Sequence, residues 1–90
     1  MGRIELSLRV RGREGLHARP AARLVETARR FRSEVTLSHG NVRASAKDLM
    51  DILYLAAPSG SELRLEAEGD DAEAAVAAIT ALFEADATDA

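Results

Sequence analysis

Arg3-Ile4-Glu5-Leu6-Ser7-Leu8-Arg9-Val10 alternates without a break, with Ile4, Leu6, Leu8 and Val10 on one side of an extended chain and Arg3, Glu5, Ser7 and Arg9 on the other. A period of two predicts a strand with one dry and one wet face. The loop Arg11 to His17 leads to residues 18–30, where Ala21, Leu24, Val25 and Ala28 recur at the spacing of an amphipathic helix. Pro20 fits the first turn of that helix, where a missing N–H costs no intrahelical bond. Working outward, Glu34 to Leu37 and Val42 to Ala46 are short alternating runs. They flank Ser38-His39-Gly40-Asn41, a turn sequence, and so predict a hairpin with His39 in its turn. Asp48 stands where a carboxylate caps a short helix over Leu49 to Leu55, which Pro58 and Gly60 stop. Leu63, Leu65 and Ala67 alternate with Glu62, Arg64, Glu66 and Glu68 in a fourth strand ended by Gly69. A last helix opens at Asp70-Asp71 and buries Ala72, Ala75, Val76, Ile79, Leu82 and Phe83. The Ala85 to Ala90 tail is expected to fray.

The order is thus β-α-β-β-α-β-α. Each strand has a single apolar face, which puts the helices on one side of the sheet in a two-layer α+β sandwich. Ninety residues give room for one domain, 1–90, with 47% hydrophobic and 30% charged residues. Two Phe, one Tyr and no Trp leave the core to Leu, Val, Ile and Ala. The absence of Cys excludes disulfides, thiolate metal sites and a cysteine nucleophile, and two His are too few for most metal cages, so no metal or cofactor is expected. No stretch approaches the roughly 18 apolar residues of a membrane span, and no basic region followed by an apolar run opens the chain, which favours a cytoplasmic protein. The net charge of -3 argues against nucleic acid as a partner. It also hides a segregation: of 12 Lys and Arg only Arg64 follows Lys47, whereas 11 of 15 Asp and Glu fall in residues 48–90. Either the first half presents a basic surface to an anionic partner, or the two halves neutralise each other on folding.

Gly15-Leu16-His17-Ala18-Arg19-Pro20-Ala21-Ala22 places an imidazole and a guanidinium at a helix N-terminus behind a glycine. The first turn of a helix has N–H donors without intrahelical partners and a partial positive charge, both suited to phosphate. Arg19 adds a fork able to hold two phosphate oxygens. A neutral His17 there is a nucleophile, and its attack on a phosphoryl group would give a phosphohistidine stabilised without a metal. On the residues alone, a His near a helix start is more often a cap or a surface residue.

The stretch Gly15 to Ala21 resembles the active-site motif of HPr, the phosphocarrier of the bacterial phosphoenolpyruvate-dependent phosphotransferase system. The likeness continues through Phe31, Ala44-Ser45-Ala46-Lys47, Glu66-Ala67-Glu68-Gly69 and the final Ala-rich helix. It implies an open-faced sandwich with an antiparallel sheet in the order 1-4-2-3, which periodicity does not distinguish from a ferredoxin-like order. It implies that His17 is phosphorylated on Nδ1, that Arg19 stabilises the phosphate and that Pro20 shapes the helix start. Phosphate would arrive from enzyme I and leave to an enzyme IIA domain of sugar uptake or of a regulatory branch. The chain would be a monomeric, stoichiometric carrier and not a turnover enzyme.

The resemblance also implies a docking face on the first two helices, with Leu49 and Met50 ringed by Arg19, Arg23 and Lys47 and with Arg13 nearby. Asp48 departs from the pattern, because many members carry there a serine that a kinase modifies; Asp48 either simply caps the helix or sets a fixed negative charge against enzyme I. Two other classes of function compete. One is an HPr-like module that docks a regulator without carrying phosphate. The other, a small phosphatase of ferredoxin-like fold, would need an Arg/Asn phosphate loop, and Asn41 lies in a hairpin away from Arg19.

Overall fold

Leu65 lies opposite Leu6 on one side and Leu37 on the other, which makes its strand an inner one of the sheet. The computed structural model describes residues 2–89. Its elements are β1 (Gly2–Arg9), α1 (Ala18–Ala28), β2 (Glu34–His39), β3 (Val42–Ser45), α2 (Leu49–Tyr54), β4 (Glu62–Gly69) and α3 (Ala72–Asp89). The four strands form one antiparallel sheet in the order β1-β4-β2-β3. This is the open-faced α+β sandwich, in the strand order that the family resemblance implied.

The period-two residues do what their pattern requires. Leu8, Val35, Leu37, Ala44, Leu63, Leu65 and Ala67 are buried, and the helices supply Ala21, Leu24, Val25, Ala28, Ile52, Ala75, Val76, Ile79 and Phe83 to the same core. Ile4, Leu6 and Leu82 pack against it while partly exposed. Five of these core side chains are alanines, which let backbones approach closely and stand in for the aromatic bulk the chain lacks.

On the opposite face the two halves of the chain neutralise each other. Arg3 donates to Glu66 at 2.6 Å, Arg43 lies 4.0 Å from the same carboxylate, and Arg64 lies 3.5 Å from Glu5 across the β1–β4 pair. The Arg3 hydrogen bond holds the Glu66 carboxyl below its usual value. The charge segregation in sequence therefore becomes, in part, charge pairing in the sheet.

Several boundaries differ from expectation, each for a local reason. α1 ends at Ala28 instead of residue 30, because Arg30 N–H and Phe31 N–H turn inward to the carbonyls of Thr27 and Ala28, both at 3.2 Å. β2 runs on to His39, opposite Val42, so the turn is only Gly40-Asn41 and His39 belongs to the strand. Its Nδ1 lies 3.4 Å from the carbonyl oxygen of Leu55. β3 stops at Ser45, although Ala46 N–H still donates to Val35 at 2.9 Å. α3 continues through Asp89 instead of fraying from Ala85, as an alanine-rich segment favours; Ala90 lies outside the described residues.

Asp71 does more than open α3. Its carboxylate accepts from the backbone N–H of Arg32 and Ser33, both at 2.9 Å, and from the Ser33 hydroxyl, tying the α1–β2 connection to the β4–α3 corner. Ser33 is buried, and a Cβ on Gly69 would lie 2.6 Å from its Oγ, so that corner has no room for a side chain. Gly69 also has φ +148°, in a region L side chains rarely adopt. The Ser33 hydroxyl first, and then the Arg32 amide, hold the Asp71 carboxyl at about 2 instead of 3.8. A carboxyl lowered on folding stabilises the protein above its unfolded value and loses that contribution as pH falls through its folded value. Stability should therefore drop between about pH 4 and pH 2. Urea midpoints across that range should show a shallower drop in Asp71→Asn than in the parent chain, with the variant less stable at neutral pH.

Candidate functional site

The loop before α1 is held from both ends. Gly15 N–H donates to Gly12 at 3.1 Å, closing a turn over Arg13 and Glu14, and Leu16 N–H donates at 2.9 Å to the carbonyl of Ala57, just beyond α2. Gly15 has φ +75°, and a Cβ there would sit 2.6 Å from that same Ala57 oxygen. The position thus demands glycine both for its backbone conformation and for its close approach. Leu16 is buried, so its side chain anchors the residue next to His17.

His17 is the N-cap of α1, with extended backbone (φ −84°, ψ −170°), and its carbonyl accepts the first helical bond from Ala21 at 2.9 Å. Its imidazole makes no capping hydrogen bond, and the side chain is 42% exposed. The reading of His17 as a plain helix cap is thereby set aside. Instead, Nε2 faces Oε1 of Glu14 at 3.5 Å. The first turn of α1 carries no acidic residue. Pro20 has no N–H to leave unpaired, so the N–H groups of Ala18 and Arg19 are the outward-facing donors of the turn. Arg19 is exposed, and among the described residues its guanidinium has no hydrogen-bond or ion-pair partner. An exposed imidazole, two free amides and an unengaged guanidinium meet at one helix end, a set suited to receiving a phosphoryl group.

α2 packs against α1. Asp48 caps it, accepting from Asp51 N–H at 3.1 Å, and Asp51 in turn accepts from Ser45 N–H at 3.3 Å. Leu49 is 37% and Met50 72% exposed, whereas Ile52 is buried and Leu53 half-buried. Tyr54, 82% exposed on the same short helix, escaped the sequence reading because six residues give too little period to place its side chain. Arg23 is half-buried on α1. Lys47 is also half-buried; its Nζ donates to the Phe31 carbonyl at 2.7 Å, while its own carbonyl accepts from Arg29 Nε at 2.8 Å. It thus fastens the α2 approach to the end of α1. Glu14, the other residue missed, lies in a loop where no periodicity points to it. Its spacing of three before His17 was the available signal.

Residues 4–85 match the PTS-HPr family, described as PTS HPr component phosphorylation site. The phosphocarrier protein HPr of Treponema pallidum is 46% identical over 78 residues, covering 87% of this chain and 89% of that protein. The crystal structure of HPr from Thermoanaerobacter tengcongensis superposes with a TM-score of 0.90 at 38% identity, covering 94% of this chain and 96% of that one. An HPr dimer from the same organism superposes with a TM-score of 0.74 at 44% identity, covering 79% and 82%. The chain belongs to the HPr family of phosphotransferase-system phosphocarrier proteins. Among the described residues, no helix is long and apolar enough to cross a membrane.

Gly15→Ala tests how the loop is held. Forcing a Cβ against the Ala57 carbonyl at positive φ should cost on the order of 1–3 kcal/mol, read from urea denaturation. In nuclear magnetic resonance spectra the amide shifts of Leu16 and His17 should move with it.

Proposed function

We propose that His17 accepts a phosphoryl group from phosphorylated enzyme I and passes it to an enzyme IIA domain, with Arg19 steadying the phosphate and Pro20 setting the helix start. The observation that carries this reading is the exposed imidazole of His17, which makes no capping hydrogen bond, at a helix end whose Arg19 guanidinium has no partner among the described residues. In-line transfer needs room and fixed positive charge around the reacting group, and little else from the carrier. The chain acts stoichiometrically, leaving with the phosphoryl group that it received, so it is a carrier and not a turnover enzyme. One domain, residues 1–90, does this as a monomer in the cytoplasm.

Docking is assigned to the faces of α1 and α2. Leu49 and Met50 give the apolar centre of the patch, and Arg19, Arg23 and Lys47 its basic rim. Lys47 contributes chiefly by holding the corner between the two helices, given its bond to Phe31. Asp48 occupies the regulatory serine position as a helix cap, and nothing at that position takes a phosphoryl group from a serine kinase. The module that docks without carrying phosphate is not favoured, because it leaves unexplained the exposure of His17 and an Arg19 guanidinium without a partner among the described residues.

Incubation with phosphoenolpyruvate, Mg²⁺ and a cognate enzyme I should add one acid-labile phosphoryl group, seen by intact mass, to the parent chain and none to His17→Ala. A folded parent chain without an adduct beside an active enzyme I would sink the carrier reading. Arg23→Glu should slow transfer from enzyme I by roughly three- to tenfold at low ionic strength, with the difference shrinking as salt is raised. Equal rates at low salt would remove Arg23 from the docking face.

A further inference from the structure

Glu14 and His17 are three residues apart in a segment with no slack. The Gly12–Gly15 hydrogen bond closes the turn that carries Glu14, and Gly15 packs closely against the Ala57 carbonyl. Within this frame the Glu14 carboxylate turns back to the imidazole, Oε1 to Nε2 at 3.5 Å, and meets no other cation among the described residues. A carboxylate at neutral pH only accepts hydrogen bonds, so what it faces is favoured as the N–H of the ring. A neutral imidazole has one N–H and one lone pair, and a partner that selects the proton at one nitrogen exposes the lone pair at the other.

We infer that Glu14 is a positioning residue that holds the proton of His17 on Nε2 and so presents Nδ1 as the phosphoryl acceptor; this rests on the carrier reading of His17. In the transfer, the Nδ1 lone pair attacks phosphorus, the N–P bond of the donor phosphohistidine breaks, and its electron pair returns to the donor ring. The Nε2 proton stays in place, so the product ring is cationic, and the Glu14 carboxylate lies beside that new charge. The pairing thus acts twice, choosing the nitrogen before transfer and favouring the phosphorylated ring after it. Both effects are small, because the carboxylate is 79% exposed and water competes for it.

The test uses the full chain and its Glu14→Gln and Glu14→Ala variants. Long-range ¹H–¹⁵N correlation spectra of the imidazole, taken with His17 neutral, report the tautomer directly. The parent chain should show Nε2–H. Glu14→Gln should stay close to it, because an amide oxygen still accepts, and Glu14→Ala should gain Nδ1–H. With enzyme I, the equilibrium for taking up the phosphoryl group should fall about two- to fivefold in both variants, as expected for one exposed charge pair. An unchanged tautomer in Glu14→Ala overturns the inference whether or not the chain is phosphorylated. A shifted tautomer in a chain that enzyme I does not phosphorylate overturns the carrier reading instead, leaving the Glu14–His17 pairing supported.

Discussion

The backbone of Gly15 lies so close to that of Ala57 that a single added carbon would press against the Ala57 carbonyl, and Leu16 N–H closes the gap with a hydrogen bond to that same oxygen. This contact joins the chain entering α1 to the chain leaving α2. Without it the loop would be a tether, and His17 would sample many positions relative to Arg19 and to the exposed apolar face of α2. With it, a buried leucine on one side and a helix on the other leave the imidazole little freedom except rotation of its own side chain. Phosphoryl transfer between two proteins asks for this kind of restraint, because much of the rate advantage in such reactions comes from holding the reacting atoms in line.

Charge is arranged around the same requirement. Cross-strand pairs on the open face of the sheet, Arg3 with Glu66 of the acidic half and Arg64 with Glu5 of the basic half, engage carboxylates from both halves of the chain. Asp71 is engaged by the α1–β2 connection. The first turn of α1 is left without a carboxylate, with Arg19 exposed beside it. A protein with net charge -3 thus keeps Arg19 and the α1 N-terminus together at one end, with Glu14 of the preceding loop against Nε2 of His17.

Most of the secondary structure was legible because each strand buries one face only, so period two is clean in Ile4 to Val10 and in Leu63 to Ala67, and period 3.6 is clean in Ala21 to Ala28. Strand order was not legible from periodicity, since burial of alternate residues says nothing about which strand is the neighbour; it came from resemblance in Gly15 to Ala21. The candidate site, His17 with Arg19 and Pro20, was proposed from that same stretch. What escaped depended on contacts distant in sequence or on loop geometry. Asp71 reads as a helix start, yet its carboxylate serves Arg32 and Ser33, 39 and 38 residues earlier. Lys47 reads as a surface cation, yet its ammonium is drawn to the Phe31 carbonyl by the way α1 ends. His39 reads as a turn residue because Ser, His, Gly and Asn all suit turns, and only pairing with Val42 places it in the strand.

The roles proposed for His17 and Glu14 turn on which atom takes the phosphoryl group. Correlation of ³¹P with ¹⁵N in the chain phosphorylated by enzyme I would identify it directly. The expected result is phosphorus coupled to Nδ1 of His17, with Nε2 still bearing its proton beside Glu14. Phosphorus on Nε2 of His17, on His39, or on no histidine at all would contradict it.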